Sequence, residues 1–146
     1  MFKLHPQLKH DTLPLVQFSL CQVRLMNDMH YPWLILVPMR MDIQELYQLN
    51  AMDQQQFLLE SGVISKVLRI GMQADKVNIA ALGNKVEQLH VHHIARYHND
   101  IAWPEPVFGK FSAQPYDQDY LILMQQKLKT LIQQEGQQLR MRWQLR

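Results

Sequence analysis

Apolar and polar positions along the chain divide into short strand-like runs and two longer helical stretches. His5 to Asp11 allows one short helical turn, which Pro14 stops. Val16 to Met26 reads as a strand with Cys21, Val23 and Leu25 along one face. Asn27-Asp28 is a turn pair, and Pro32 marks the end of that connection. Leu34-Ile35-Leu36-Val37, closed by Pro38, is wholly apolar, which suits a strand buried on both faces and paired with the first as a hairpin.

A short helix from Asp42 to Leu49 is expected next, with Asp42 as its cap. From Asp53 to about Ile70, residues Phe57, Leu58, Val63, Ile64, Val67 and Leu68 recur at helical spacing, and Gly71 is placed to end the helix in a left-handed conformation. Lys76 to Leu82 reads as a strand, and Gly83-Asn84 as a turn into a second, antiparallel strand from Gln88 to Ile94. A loop rich in proline and aromatic residues follows, through Trp103 and Phe108. Asp117 or Asp119 then caps a last helix to about Glu135, with Tyr120, Leu121, Met124, Leu128 and Ile132 on its apolar side. The element order implies an α+β fold, helices packed on an antiparallel sheet. It forms one domain, residues 1–146, with a core from about residue 16 to 110 and a C-terminal helix at about 117–135.

Composition narrows the class without choosing a function. A chain of 146 residues, 47% apolar and 19% charged, has globular composition and can close a single core. A net charge of +2 is too small to indicate nucleic-acid binding, although Arg140, Arg142 and Arg146 make the last segment basic. One cysteine, Cys21, permits neither an intrachain disulfide nor a multi-cysteine metal site and fits a reducing compartment. No secretory leader and no run long enough to span a bilayer is visible, so a cytoplasmic location is expected, with no membrane partner.

Candidate chemistry concentrates in the strand from Gln88 to Ile94. Alternation places Gln88, His90 and His92 in a row on one face, with Leu89, Val91 and His93 on the other. Neutral imidazole attacks phosphorus readily, and a second imidazole beside it can donate to a phosphate oxygen or, as a cation, offset developing charge. Lys85 and the backbone N–H groups at Gly83-Asn84 add donors one turn upstream. The same spacing is also that of an ordinary polar strand face. A metal reading has His90 and His92 as two ligands and needs a third, for which His98 and Asp100 are candidates only if the chain folds back.

At this strand the sequence resembles the histidine triad (HIT) superfamily of nucleotide-binding hydrolases and transferases. Its signature is His-φ-His-φ-His-φ-φ, with φ apolar; the corresponding stretch here is Gly83-Asn84-Lys85-Val86-Glu87-Gln88-Leu89-His90-Val91-His92-His93-Ile94. The middle and third histidines match His90 and His92, while the first is Gln88. The resemblance extends upstream through Leu25-Met26-Asn27-Asp28, the apolar strand and the helix from Asp53 to Ile70. It implies a half-open antiparallel sheet with two main helices, continued across a homodimer, and a site with neither metal nor other cofactor. It also implies a purine nucleotide or nucleotide conjugate as partner, with His90 the nucleophile toward the α-phosphorus and His92 the phosphate ligand and leaving-group partner. Asn27 or Asp28 falls where the family contacts the ribose and Asn78 where it places a phosphate-site asparagine; Lys85 stands where Ser or Thr is usual and, with Asn84, is a candidate donor toward the phosphate.

Departures from the pattern shape what is expected. A supporting histidine often found in a Pro-Gly-His turn is replaced in Tyr31-Pro32-Trp33, so Gln88 and Trp33 read as a joint replacement, Gln88 orienting the strand and Trp33 filling volume. His93 stands where an apolar residue is usual, and Trp103 and Phe108 are placed to wall the leaving-group side. The resemblance implies hydrolysis of a phosphoanhydride or phosphoramidate through a nucleotidyl-histidine, the conjugate being a dinucleoside polyphosphate or a nucleoside phosphoramidate. A non-catalytic nucleotide-binding or interaction protein on the same fold is the alternative; a metal-dependent hydrolase using a loop carboxylate is a third class.

Overall fold

A computed structural model describes residues 1–138 and 143–145. The basic segment read at Arg140, Arg142 and Arg146 lies outside the described residues. The elements run α1 (Pro6–Asp11), β1 (Thr12–Phe18), β2 (Cys21–Met26), β3 (Trp33–Pro38), α2 (Ala51–Lys66), β4 (Lys76–Ala80), β5 (Val91–Arg96), α3 (Gln118–Gln138) and β6 (Trp143–Leu145). The strands form one sheet in the order β4-β5-β3-β2-β1-β6, antiparallel at every pairing. The α+β expectation therefore holds. β6, at the outer edge beside β1, has no counterpart in the sequence reading.

The expected strand from Val16 to Met26 is two strands folded back on each other. Thr12 pairs with Met26 and Gln17 with Gln22, and the register shifts between Pro14 and Val16. Pro14 thus sits in β1 at an irregularity, where its missing N–H costs no ladder bond. The turn at Ser19-Leu20 lacks the glycine, proline or asparagine that marks a turn in sequence. Its donors are met from a distance: the buried carboxylate of Glu60, on α2, accepts from the N–H of Leu20 and of Cys21, both at 2.9 Å, and from Ser19 Oγ at 3.1 Å.

Strand β3 is buried at every position, as its apolar run requires. Between β3 and α2 there is one 3-10 turn, Leu46–Gln48, in place of the expected helix from Asp42. Asp42 itself adopts φ 56°, a left-handed conformation tolerated by aspartate better than by most residues. Asn50 caps α2, accepting from the N–H of Asp53 at 2.9 Å, and Asp53 instead pairs with Arg40 at 2.7 Å.

The helix passes into a wider π turn, Val67–Gly71. Gly71 does not carry the left-handed residue; Gln73 does, at φ 55°. Glycine at position 71 serves packing, since a Cβ there would meet the Cδ atoms of Leu131 on α3 at 2.9 Å. The last helix is capped as expected by Asp117, whose Oδ1 accepts from the N–H of Tyr120 at 2.8 Å.

The two faces of the sheet are covered differently. Helices α2 and α3 cover one, with Phe57, Val63, Ile64, Leu128 and Ile132 packed on Leu15, Val23, Leu34 and Val91. The opposite face carries Trp33, Ile35, Val37 and Ile94, covered by Leu8 of α1, by Val86 and by Ala102 and Val107 of the long loop. No helix of the described residues is long and apolar enough to cross a membrane.

Candidate active site

β5 begins at Val91, so the expected strand from Gln88 to Ile94 is half strand and half loop. The connection from β4 runs over residues 81–90 and is anchored where the Leu89 N–H donates to the Ile43 carbonyl at 2.9 Å. Within β5, His92 pairs with Ile35 and His93 with Leu34, so the two imidazoles point to opposite faces.

His93 belongs to the helix side. Its Nδ1 donates to the Val91 carbonyl at 3.2 Å, and Ser61 Oγ, on α2, donates to its Nε2 at 2.7 Å. Burial pushes its pKa down to about 4, so it packs as a neutral ring. This matches a histidine satisfied within the core, apart from the chemistry of the other face.

His90 and His92 share that other face, their ring centroids 5.0 Å apart. The Nδ1–H of His90 donates to the Gln88 main-chain carbonyl at 2.7 Å, which leaves the lone pair on Nε2. His92 has the opposite arrangement, because the indole N–H of Trp33 donates to its Nδ1 at 3.0 Å. Trp33 and His92 lie diagonally across β3 and β5, within reach of a large aromatic side chain. Burial first, then His90 and His93, lower the His92 pKa to about 3. The bond from Trp33 and the lowered pKa both favour the neutral ring, so of the two roles open to the second imidazole the geometry fits the N–H donor.

Gln88 does not join this row. Its side-chain oxygen accepts from the His5 N–H and its amide nitrogen donates to the Lys3 carbonyl, both at 2.9 Å. The joint replacement expected for Gln88 and Trp33 is thus divided: Gln88 clasps the N-terminal segment, and Trp33 bonds the third triad position. Trp33 does more than the volume-filling expected of it, and the sequence signal for that is its one polar atom, which needs an acceptor when buried.

Two clefts meet at Trp33. One, about 410 Å³, is lined by His92, Trp33, Met26, Phe108, Leu82, Gly83, Asn84 and Lys85; His90 lines a small crevice next to it that shares Leu82 and Gly83. The other, about 380 Å³, is lined by Asn27, Asp28, Trp33, Met26, His10 and Asp11 and by Val107, Gly109, Phe111, Ala113 and Pro115 of the long loop. Phe108 packs edge-on against both His92 and Trp33, at 5.1 and 5.6 Å between centroids. Trp103 stands apart from this wall, meeting His98 edge-to-face at 4.8 Å between centroids, with the Arg96 guanidinium over its ring at 5.7 Å.

Asn27 and Asp28 hold the loop as well as line the cleft. Asn27 Oδ1 accepts from the Tyr116 N–H at 3.0 Å, and the buried Asp28 Oδ1 accepts from the His30 and Gln114 N–H groups at 3.1 and 3.2 Å. Asn78 is engaged elsewhere. Its Oδ1 accepts from Arg96 at 2.8 Å, inside a buried cluster in which Arg96 also pairs with Asp100 and donates to the Glu105 carbonyl. Asp100, the loop carboxylate considered for a metal, is thus committed to Arg96. Among the described residues no group of three or more His, Cys, Asp or Glu side chains is gathered as a metal site would need.

Comparison with known proteins agrees with this architecture. The family model described as HIT domain matches residues 7–99. A histidine triad protein of Marinobacter aquaeolei VT8 is 46% identical, with a TM-score of 0.89 over 92% of this chain and 98% of that one. A histidine triad (HIT) protein of Sinorhizobium meliloti 1021 is 42% identical, with a TM-score of 0.86 over 89% of this chain and 96% of that one. A hypothetical histidine triad nucleotide-binding protein of Sulfolobus tokodaii strain 7 shares the fold at 13% identity, with a TM-score of 0.65 over 88% of this chain and 90% of that one. No match is found among the curated proteins.

Proposed function

Because this chain belongs to the HIT domain family, we propose that it binds a purine nucleotide conjugate and hydrolyses it at the α-phosphorus through a nucleotidyl intermediate on His90. The observation that carries this reading is the bond from His90 Nδ1 to the Gln88 carbonyl, 2.7 Å long, which keeps Nε2 free as a nucleophile beside a second imidazole. When Nε2 bonds phosphorus the ring becomes cationic, and the same carbonyl accepts the Nδ1–H of that cation. His92 presents its Nε2–H to a phosphate oxygen, and Lys85 and the N–H groups at Gly83-Asn84 border the same cleft.

The nucleoside would occupy the neighbouring cleft, with Asn27 and Asp28 toward the ribose and Val107, Phe111 and Met26 giving apolar surface for the base. The description of the Sulfolobus protein as nucleotide-binding supports that assignment by analogy of fold. Asn78 would act on the phosphate site only indirectly, through Arg96.

The protein would work as a cytoplasmic homodimer. β4 lies at one edge of the sheet and carries Ile79, 53% exposed, so a second β4 could continue the sheet there.

Brief incubation with a diadenosine polyphosphate and with a nucleoside phosphoramidate, followed by peptide mass spectrometry, tests the mechanism. A nucleotidyl adduct on His90 is expected. An adduct on another residue would overturn the assignment of His90, and nucleotide binding without turnover or adduct would replace the mechanism with the non-catalytic reading.

A further inference from the structure

Trp33 places a constraint on His92 that the triad pattern does not contain. An indole nitrogen donates and cannot accept. While Trp33 Nε1–H points at His92 Nδ1, 3.0 Å away, that nitrogen must keep its lone pair, and the ring's proton resides on Nε2. A doubly protonated His92 would set two N–H groups head to head. Both partners are buried, at 8% and 6% exposure, with the Phe108 ring packed on each, so neither can turn away freely.

Nothing that faces His92 favours a cation. The His90 ring shares its face, His93 lies next to it on the opposite face, Ile35 of β3 and Ala80 of β4 are its cross-strand partners, and Trp33 and Phe108 close the sides. Lys85, the charged group lining the cleft with it, is itself positive.

The geometry points to selection by leaving group: with His92 held neutral by Trp33, the site cleaves phosphoanhydrides, whose leaving group departs as an anion, in preference to phosphoramidates, whose amine must be protonated to leave. The inference rests on the His90 mechanism above and names its substrate class, a nucleoside monophosphate joined through oxygen to a further phosphate. Trp33 is then a positioning residue acting through His92.

The two steps balance without a general acid. The Nε2 lone pair of His90 forms a bond to the α-phosphorus as the bond from phosphorus to the bridging oxygen breaks. Its electron pair stays on that oxygen, which leaves as phosphate or polyphosphate anion while the His92 Nε2–H hydrogen-bonds it. Water then attacks phosphorus, the P–N bond breaks with its electrons returning to Nε2, and the proton lost by water passes to solvent. With a phosphoramidate the first step needs a proton on the departing nitrogen, and a neutral imidazole giving one would become imidazolate.

The test compares kcat/KM for a diadenosine polyphosphate and for an alkyl phosphoramidate of adenosine monophosphate, in the unaltered protein and in Trp33→Phe. The expected preference for the anhydride is about a hundredfold or more, the size of a general-acid contribution. Trp33→Phe keeps an aromatic ring, frees Nδ1 to take a second proton, and should lower that preference by about tenfold or more. A preference for the amidate in the unaltered protein, with the adduct still on His90, overturns this inference and leaves the mechanism standing. An unchanged ratio in Trp33→Phe overturns it too. Nitrogen NMR of the unaltered protein provides a check that needs no variant: His92 should remain an Nε2–H neutral ring down to about pH 5, and a titration near the ordinary imidazole value of about 6.5 would overturn the inference. Absence of turnover on both substrates, with no adduct on His90, overturns the mechanism and this inference together.

Discussion

The ring of His90 is oriented by the backbone of Gln88 and not by its side chain: Nδ1 donates to the Gln88 carbonyl at 2.7 Å, while the Gln88 amide reaches the other way, to Lys3 and His5. The residue that interrupts the triad therefore supplies the same main-chain acceptor that any residue there would supply.

His90→Asn should consequently abolish turnover, a loss of at least roughly ten-thousandfold in kcat, while nucleotide affinity by calorimetry stays close to that of the unaltered protein. Gln88→His should change kcat/KM by less than about tenfold, because the orienting carbonyl is retained. A large gain in Gln88→His would show that the side chain limits the site.

Gln88→Ala should loosen the N-terminal segment. Its amide makes two hydrogen bonds to the backbone of residues 3 and 5, each worth about 1 kcal/mol in a partly exposed setting. Faster amide exchange at His5, with exchange in β5 unchanged, is the expected outcome by NMR or mass spectrometry.

Stability should fall with acid through His93. Its folded pKa, about 4, lies below the unfolded value of about 6.5. Above the unfolded value the ring is neutral in both states and imposes no penalty; as pH falls from there toward the folded value, the unfolded chain takes the proton first and stability is lost. The loss from this residue between pH 7 and 5 should be about 2 kcal/mol by denaturant unfolding. His93→Gln, which still offers Ser61 an acceptor, should remove that part of the slope.

Asp100→Ala should destabilise the fold by roughly 3–5 kcal/mol, since it strands the buried Arg96 guanidinium. Burial opposes the charge on Asp100, but the hydrogen bond from Arg96 and those from the N–H groups of Tyr97 and Ala102 hold its pKa below the usual carboxylate range. The same cluster ties the Glu105 carbonyl, near the loop residues that press on His92. Asp100→Ala should therefore also lower turnover, measured below the thermal transition of the variant.

Much of the fold was legible because its signals are local. The unbroken apolar run at Leu34–Val37, closed by Pro38, suited a strand buried on both faces, helical spacing from Phe57 to Leu68 marked α2, and the pair Asp117 and Asp119 bracketed the start of α3, which Asp117 caps. The hairpin at Ser19-Leu20 was not legible, because its turn donors are satisfied by Glu60 from α2. Gly71 misled for a related reason: its lack of a side chain answers to Leu131 on α3, and a local pattern offers only the conformational explanation.

For the site the same division holds. Alternation along the chain determined by itself that His90 and His92 share one face while His93 takes the other, because side-chain direction in a strand has a period of two. Only the tertiary structure decided which nitrogen of each ring is free, since that depends on partners brought in by folding: a main-chain carbonyl for His90 and the indole of Trp33, 59 positions away, for His92. It likewise turned Gln88 toward Lys3 and His5, and Asn78 toward Arg96. A hydrogen bond is set by distance and direction in space, and the identity of a side chain states what it can donate or accept without stating to whom.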